Sequence, residues 1–386
     1  MTPLFLNHVS PDAIPREIVF SQEPSTRTYD DDRDLIDRII VSYQRAIDSA
    51  PPEVRDSFAD LLWTDNGYLG FQAGLIAALQ AGDSYRLHDL LRCMFVSDAV
   101  HALGMGKAEA DILRSKPENL RSYGIQWIDR LVSLSYAVGA MPVQYREYNP
   151  KAYSESLIIK VEEVAKLVEK RLQICLKFPD IGGVFGGKLG GSPFPMHAFI
   201  LLAAAFQVSL LDPSVDSLAI EIGGGFGGLA YWVYNLTPCK YRIYDLPYVL
   251  ALQGYFLGRA IGQDKITLYG ESVRPEPGVS LHPGWDLLQH PPSNVEVAIS
   301  QDSLPEVPLE IALAYLKVLG TALNGSFLSI NHEASAHRDG GRILASVPKL
   351  ISQVGGFRLR QRAPFFLREG FIQEVYQCNL LTRSLK

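Results

Sequence analysis

The sequence predicts an α/β protein, in which a mainly helical N-terminal region, residues 1–177, precedes a doubly wound and mostly parallel β-sheet in residues 178–386. Helical periodicity dominates the first region. In the second region, short apolar runs alternate with helical segments, which favours parallel strands joined by crossover helices. The chain ends in consecutive strand-like runs at 357–362 and 370–378, and consecutive strands favour an antiparallel hairpin at one end of the sheet.

Composition places the chain among ordinary soluble proteins large enough for two domains, with 386 residues, 47% hydrophobic and 20% charged. A net charge of −6 without a long Lys/Arg block argues against nucleic acid or an anionic membrane as the main partner. Residues 1–10 lack a basic segment before an apolar one, and the longest apolar run, 198–211, contains Gln207 and Ser209. We therefore expect neither export nor membrane insertion.

The cysteines lie far apart in the sequence and have no C-x-x-C spacing, which indicates neither a zinc site nor a disulfide framework. They are Cys93, Cys175, Cys239 and Cys378. Reduced thiols in a cytoplasmic protein are the expectation.

The N-terminal region begins with a proline-rich stretch, residues 1 to about 30, which we expect to form an arm over the surface or over a partner subunit. The protein is accordingly expected to be a homo-oligomer, with a dimer as the simplest case. Asp30, Asp31 and Asp32 predict the cap and first turn of a helix that ends before Pro51. Further helices are predicted at 58–62, 69–79, 87–103 and 154–177.

A glycine-rich stretch, residues 180–195, leads into the second region. Such a segment is costly to order and easy to move, so it is either a linker or a lid or wall of an active site. Lys188 and Ser192 are the polar side chains it offers to a substrate. His197 follows, and we expect it to cap or pack the next helix.

The second region is organised around residues 218–230, an apolar strand followed by a glycine-rich turn and a helix. Glycines in such a turn let a ligand approach the backbone, and the helix offers unpaired N–H groups. A second strand, 241–244, then delivers Asp245, which at the tip of that strand can hold the hydroxyl groups of a ribose.

Two cofactor classes fit this turn. Gly223, Gly225 and Gly228 satisfy the dinucleotide pattern G-x-G-x-x-G, whereas Glu221, Gly223, Gly225 and Gly227 satisfy an acidic-x-G-x-G-x-G pattern. An acidic residue two positions before the first glycine suits a cofactor that has an ammonium group and no pyrophosphate.

After Asp245 the strands predicted by the alternation are 265–269, 295–300 and 327–330. The first ends in Gly270-Glu271-Ser272, the second in Gln301-Asp302-Ser303 and the third in Asn331-His332-Glu333. Ligands bind at the carboxyl edge of an open α/β sheet, so these polar groups are candidate site residues.

With these motifs placed, the second region resembles class I S-adenosylmethionine-dependent methyltransferases, and within them the family of sugar O-methyltransferases. The resemblance lies in 221–230, 244–250 with Gln253 and Tyr255, 300–306, 329–334 and 364–376, and covers about residues 190–380. One departure is the Gly-Gly-Ser-Pro segment at 190–193, where the family has Gly-Asn-Pro. The resemblance implies a Rossmann-like, seven-stranded sheet with an antiparallel terminal hairpin.

The resemblance also implies roles for particular residues in binding S-adenosyl-L-methionine. Glu221 would bind the ammonium side, the turn glycines would underlie the methionine half, and Asp245 would bind the ribose hydroxyls. The remaining cofactor contacts are assigned to residues at the ends of strands, namely Leu246, Glu271, Ser272 and Ser300.

For catalysis, His332 is the first candidate for a general base, with Glu333 to orient it or bind sugar hydroxyls, and Asp302 is the second. His332 could instead be a hydrogen-bonded histidine behind the site, and Asp302 a helix cap. A divalent metal held by these residues is possible but not favoured. The predicted activity is O-methylation of a sugar or sugar-containing small molecule. The alternatives are O-methylation of a phenolic or other small natural product, and a non-catalytic cofactor-binding scaffold.

Overall fold

The computed structural model describes residues 19–22, 25–52, 68–143, 147, 151, 160–272, 278–333 and 345–378. Its helices are α1 (Tyr29–Ser49), α2 (Tyr68–Ala81), α3 (Ser84–Leu91), α4 (Lys107–Arg114), α5 (Pro117–Ala137), α6 (Val161–Leu172), α7 (Met196–Ser209), α8 (Gly228–Leu236), α9 (Pro247–Ala260), α10 (Asp286–Gln289), α11 (Leu309–Ala322) and α12 (Val347–Val354). Its strands are β1 (Phe20–Ser21), β2 (Gly186–Leu189), β3 (Ser192–Phe194), β4 (Leu218–Ile222), β5 (Lys240–Asp245), β6 (Ile266–Thr267), β7 (Val279–Pro283), β8 (Val295–Gln301), β9 (Leu323–His332), β10 (Phe357–Pro364) and β11 (Phe371–Cys378).

The main sheet has the strand order β10-β11-β9-β8-β4-β5-β7-β6. Strands β4 to β9 pair in parallel, whereas β11 pairs antiparallel with both β9 and β10. The chain moves outward to one side of β4 through β5 and to the other through β8, so a crevice opens beyond the carboxyl end of β4. This topology confirms the predicted Rossmann-like α/β fold with its antiparallel terminal hairpin.

The sheet has eight strands where seven were expected, because the predicted strand 265–269 is replaced by two strands. Only Ile266 and Thr267 pair there, as the edge strand β6, and β7 takes the inner position beside β5. The sequence pattern did not predict strand β7, because Pro275 and Pro277 precede it and it ends in His282 and Pro283. Such a composition is typical of a loop.

The N-terminal helices pack directly on the sheet region, and one hydrophobic core contains residues from both. Helix α1 lies against α9. Between them, the fully buried carboxylate of Asp32 accepts hydrogen bonds from Tyr255 (2.7 Å) and Arg27 (3.0 Å), with Arg259 at 3.4 Å and His88 at 3.3 Å. The boundary at residue 177 stays a prediction.

The acidic residues in the first turn of α1 therefore have different roles, in contrast to the single capping role expected from the sequence. Asp31 accepts a hydrogen bond from the backbone N–H of Thr28 at 2.9 Å and completes a capping box. Asp32 is an internal ion-pairing group instead. Near the middle of α1, Arg38 forms a bidentate ion pair with Glu271.

Two predicted helices differ in extent from those observed. The helix expected at 87–103 ends at Leu91, and residues 92–104 form turns in which Ala102 has a left-handed backbone (φ +63°). Within the stretch expected at 154–177, the structure describes α6. The predicted helix at 58–62 and most of the N-terminal arm lie outside the described residues.

The glycine-rich stretch 180–195 is neither a linker nor an open loop in its second half. It forms the β2–β3 hairpin, and β1 adds a third antiparallel strand. A Cβ added to Gly186 would lie 2.3 Å from the backbone of Phe194, so close strand approach explains a glycine there. Lys188 is exposed, and neither it nor Ser192 lines the cleft described below. Across the described ranges, no helix combines the length and apolar character needed to span a membrane.

Candidate functional site

The glycine turn between β4 and α8 forms the floor of the site. Gly223 has φ +74°, and a Cβ there would lie 2.4 Å from the Cβ of Ser303. Gly227, with φ +97°, precedes α8 and provides no side-chain cap. The turn is therefore restricted to glycine by backbone conformation and by contact, and it leaves the first N–H groups of α8 available to a ligand.

Asp245, at the end of β5, is hydrogen-bonded to this turn. One carboxylate oxygen accepts from the backbone N–H of Gly224 and from Nε2 of Gln253, both at 2.7 Å, and the other accepts from the N–H of Leu246 at 2.8 Å. Gln253 also donates to the backbone carbonyl of Gly225 at 2.9 Å. Gln253 thus holds the turn and the carboxylate together, a role that its place in the motif did not reveal.

Glu221 lies deeper, on β4, and is 2% exposed. The hydroxyl of Tyr241 donates to it at 3.1 Å. Burial, with a smaller contribution from the charge of Asp245, raises the pKa of Glu221 to about 8. Burial also raises the pKa of Asp245 to about 6, although hydrogen bonds from Leu246, Gly224 and Gln253 oppose it.

These two carboxyl groups have no ion-pair partner in the part of the chain that the structure describes. Both border the cleft, with Glu221 at its base and Asp245 partly exposed to it. A cationic ligand would favour their ionised forms, whereas a phosphate would be repelled by them. The site is therefore suited to a cationic cofactor rather than to a dinucleotide.

The cleft has a volume of about 410 Å³, within the range of small-molecule sites. We divide most of the residues that line it into two sets, those at the glycine turn and the neighbouring strand ends, which we call the cofactor half, and those from the rest of the chain, which we call the acceptor half. The cofactor half is lined by Glu221, Gly223, Gly224, Gly225, Tyr244, Asp245, Leu246, Gly284, Gln301 and Ser303. The acceptor half is lined by Phe95, Ala102, Leu103, Gly104, Met105, Glu109, Tyr123, Val184, Pro195, Met196, His197, Leu201, Phe226 and Arg368.

The acceptor half is mostly apolar and comes from several parts of the chain. The turns after α3 contribute Phe95, whose ring meets Phe226 edge-on at 5.2 Å, and Gly104 packs near the same ring. Val184, from the glycine-rich stretch, forms part of the wall. That stretch was predicted to be either a linker or a lid or wall of an active site, and two of its residues, Val184 and Pro195, line the cleft.

Asp302 also lines the cleft, in a left-handed conformation (φ +55°) after β8. Its carboxylate is ion-paired with Arg368, from the β10–β11 connection, and the Arg368 guanidinium lies 3.9 Å from the centroid of the Phe371 ring. His197, the second residue of α7, lines the same part of the cleft. Burial, together with the positive charge of Arg368, lowers the pKa of His197 to about 4.

Ser300, predicted to contact the cofactor, lies behind the cleft wall and is fully buried. Its hydroxyl is 3.0 Å from that of Ser303, and its backbone carbonyl accepts from Asn331 at 3.0 Å. Asn331 also accepts from the N–H of Ser303 at 3.3 Å. This network fixes Ser303, which does border the cleft.

His332 and Glu333 do not line the cleft. His332 packs edge-on against Phe371, with ring centroids 6.3 Å apart, and Glu333 is ion-paired with Arg362. Strand β9 continues to His332 and pairs it with Phe371 of β11, so the strand does not end at the site as the sequence pattern indicated.

Glu271 and Ser272 are also away from the cleft. They were expected at the end of the third strand, but the inner strand at that position is β7, and Glu271 is bound to Arg38 of α1. Among the described residues, no group of three or more His, Cys, Asp or Glu side chains could hold a metal ion.

No protein-family model and no curated protein sequence matches this chain. Among solved structures, the chain is similar to TnmH (18% identity, 48% of this chain and 58% of TnmH, TM-score 0.33). It is also similar to the mitomycin 7-O-methyltransferase MmcR, with 13% identity over 70% of this chain and 99% of MmcR and a TM-score of 0.34. A third similar structure is the glycopeptide N-methyltransferase MtfA complexed with S-adenosyl-L-methionine, with 13% identity over 46% of this chain and 94% of MtfA and a TM-score of 0.36. The chain thus spans 58% of the length of TnmH.

Proposed function

We propose that the protein is an S-adenosyl-L-methionine-dependent O-methyltransferase that acts on a small molecule. The observation that carries this proposal is a pair of carboxyl groups beside a glycine turn, the buried Glu221 and the partly exposed Asp245, which have no ion-pair partner among the described residues. In the proposed complex, Glu221 binds the ammonium side of the cofactor and Asp245 the ribose hydroxyls. Gly223, Gly225 and Gly227 let the cofactor approach the backbone.

When bound, the cofactor supplies a methyl group on a positively charged sulfur. The protein then has to align an acceptor oxygen with that methyl group and keep water out. Fixing both reactants in line can supply about 7–11 kcal/mol of the barrier. Phe95 and Phe226, which pack edge-on, form part of the wall that would exclude water from the acceptor half.

Two acceptor classes remain candidates. The motifs of the second region favour a sugar or sugar-containing metabolite. The apolar wall of the acceptor half favours a phenolic or other small natural product, because a bare sugar needs polar partners for its hydroxyl groups. A glycoside with an apolar portion would satisfy both.

Of the three residues predicted to act in catalysis, we propose a direct role only for Asp302, because it borders the cleft and His332 and Glu333 do not. Its ion pair with Arg368 fixes both side chains beside the place where the acceptor must lie. We propose no metal in the mechanism. Of the strand-end residues predicted to contact the cofactor, we retain Leu246, which lines the cofactor half, and not Glu271, Ser272 or Ser300, which do not line the cleft.

Isothermal titration calorimetry with S-adenosylhomocysteine tests the cofactor assignment. We expect one binding site per chain in the wild-type protein and binding weakened by about 10–150-fold in Asp245→Ala. Binding of NADH in place of S-adenosylhomocysteine would contradict the proposal. Binding of S-adenosylhomocysteine without methyl transfer to any catechol, glycoside or nucleotide sugar would favour the non-catalytic scaffold.

A further inference from the structure

The cleft is also lined by a buried tyrosine whose hydroxyl group is unoccupied. Tyr315 lies on the inner face of α11, and its side chain is 3% exposed. Its hydroxyl makes no hydrogen bond to any residue that the structure describes. A polar group that is removed from water usually has a partner, because burial without one costs free energy. The hydroxyl of Tyr315 is therefore suited to bind a ligand in the cleft.

Backbone groups at the neighbouring strand ends do not offer the same contact, because they already bind Asp245. The N–H group of Leu246 donates to the Asp245 carboxylate at 2.8 Å, and the N–H group of Gly284 donates to the Asp245 backbone carbonyl at 2.8 Å. Both residues line the cleft. Their N–H groups are thus engaged in holding the ends of β5 and β7 together.

The polar side chains near these strand ends are engaged as well. The hydroxyl of Tyr244 accepts a hydrogen bond from Arg242 at 3.3 Å, and the hydroxyl of Ser303 donates to the backbone carbonyl of Ile222. Glu306, which also lines the cleft, has a partner within the protein. Tyr315 differs from these groups because its hydroxyl is left for a ligand.

The position of Tyr315 matches the side of the cleft where the base of the cofactor has to lie. In the proposed complex, the turn after β4 underlies the methionine half, and Asp245 at the end of β5 binds the ribose. The base is attached to the other end of the ribose, so it lies towards β7, the next strand in the sheet. Tyr315 packs in the same hydrophobic core as Tyr244 of β5 and Leu287, which follows β7.

The hydroxyl of Tyr315 keeps its proton at physiological pH and can donate it in a hydrogen bond. Burial raises the pKa of Tyr315, and the negative charge of Asp245 acts in the same direction. A phenolic hydroxyl is both a donor and an acceptor, whereas the ring nitrogens of adenine are acceptors. The two groups are therefore complementary.

We propose that the hydroxyl of Tyr315 donates a hydrogen bond to a ring nitrogen of the adenine base and so selects the base of the cofactor. This inference rests on the proposed function and adds a residue that recognises the cofactor. Glu271 and Ser272, which were predicted to contact the cofactor, lie away from the cleft. The base is thus recognised from α11, in the helical layer beside the sheet, and not from those strand-end residues.

The first test is calorimetry of the full chain with S-adenosylhomocysteine. Tyr315→Phe removes the hydroxyl and keeps the ring, so the fold should be unaffected. Loss of one neutral hydrogen bond should raise the Kd by about 2–13-fold. Tyr85→Phe is the matched control, because Tyr85 is exposed on α3 and does not line the cleft, and its Kd should equal that of wild type.

The second test identifies the bonded atom with the 1-deaza, 3-deaza and 7-deaza analogues of S-adenosylhomocysteine, in each of which CH replaces one ring nitrogen. The analogue that lacks the bonded nitrogen should bind wild type about 2–13-fold more weakly than S-adenosylhomocysteine. In Tyr315→Phe the same analogue should bind as S-adenosylhomocysteine does. The other two analogues should respond equally in both proteins, because they do not change this contact.

A third ligand, 5′-methylthioadenosine, contains the base and the ribose without the amino acid portion. Its Kd should change between wild type and Tyr315→Phe by the same factor as that of S-adenosylhomocysteine. A change for S-adenosylhomocysteine alone would place the hydroxyl at the amino acid portion and overturn the inference.

Two further results would also overturn the inference. They are an unchanged Kd of S-adenosylhomocysteine in Tyr315→Phe, and three deaza analogues that each respond equally in both proteins. In either case the wild-type protein still binds S-adenosylhomocysteine, so the proposed function stands. Failure of the wild-type protein to bind S-adenosylhomocysteine would instead contradict the proposed function itself. Circular dichroism checks that each variant is folded.

Discussion

The two halves of the cleft are built in different ways. Most of the cofactor half comes from one continuous βαβ unit, which provides backbone N–H groups, glycines and two carboxyl groups within residues 221–245. Gly284, Gln301 and Ser303, from the ends of neighbouring strands, complete it. The acceptor half is made of side chains from at least the turns after α3, from α7 and from the β10–β11 connection. A backbone-built half tolerates few changes, whereas a side-chain-built half can be altered without disturbing the fold.

The largest effect that separates the two halves is expected from Glu221→Gln and Asp245→Ala. Each removes a charge-assisted interaction with the proposed cofactor, worth about 1.5–3 kcal/mol, or roughly 10–150-fold in the Kd of S-adenosylhomocysteine. Calorimetry measures it. Glu163→Gln, at an exposed position on α6, is the control. An unchanged Kd in both site variants would mean that the ligand binds elsewhere.

The same Glu221→Gln variant should be more stable than wild type in the absence of ligand. The pKa of Glu221 is about 8 in the folded protein and 4.5 is its ordinary value, so ionisation is disfavoured in the folded state. The wild type therefore loses stability as pH rises from about 4.5 to 8, by on the order of 3 kcal/mol. Chemical denaturation at pH 5 and pH 8 would show a difference between the two proteins only at the higher pH.

Cofactor affinity should rise with pH for the same reason. A cationic ligand binds the ionised form, so Glu221 must lose its proton when the complex forms. The pKa of Glu221 in the ligand-free protein is about 8. As the pH rises towards that value, the Kd should fall by up to about tenfold per pH unit, and above it the Kd should become constant. Calorimetry in buffers of different ionisation enthalpy would detect the released proton. A pH-independent Kd in wild type would contradict the assignment of Glu221.

Substitution of glycine tests how far the floor of the site is fixed by its backbone. Gly223→Ala would bring a Cβ within 2.4 Å of Ser303 and hold alanine at positive φ. We expect it to destabilise the protein by about 2–3 kcal/mol, whereas Gly190→Ala, also at positive φ but with no atom within 4 Å, should lose only about 1 kcal/mol. Thermal unfolding measures both. Equal losses would show that contact with Ser303 costs nothing.

The smallest effect is expected from the acceptor wall. Met105→Ala removes apolar surface from that half alone, so it should raise the KM for a phenolic acceptor by about fivefold and leave the Kd of S-adenosylhomocysteine unchanged. Steady-state kinetics and calorimetry together check this. A fivefold change in the Kd of S-adenosylhomocysteine as well would contradict the prediction that the two halves bind their ligands independently.

The contrast between the halves also explains what could be predicted from the sequence. Glu221, Gly223 and Asp245 follow a local pattern, because the strand, the turn and the next strand are consecutive in the chain. The terminal hairpin was recognised for the same reason. Strand β7 was missed because its prolines and histidine obscure the pattern, and with it the assignment of Glu271 was lost.

The acceptor half could not be predicted, because its residues meet only through tertiary packing. His197 was assigned to capping or packing, and Arg368 was not singled out. One signal was present, an arginine in the short connection between two terminal strands, but no local pattern places that connection over the cleft. His332 illustrates the converse. It follows an apolar run as a site residue should, yet pairing with Phe371 carries its strand past the cleft.

Helix α9 carries Gln253, which holds Asp245, and two residues later Tyr255, whose hydroxyl reaches the carboxylate of Asp32 in α1. Removing residues before 178 would expose one side of this helix, while its other side still has to hold the carboxylate of Asp245. A shortened chain containing only the sheet region would thus be a poor reagent for measuring cofactor affinity, because α1 supports α9, the helix whose Gln253 positions Asp245 at the cleft.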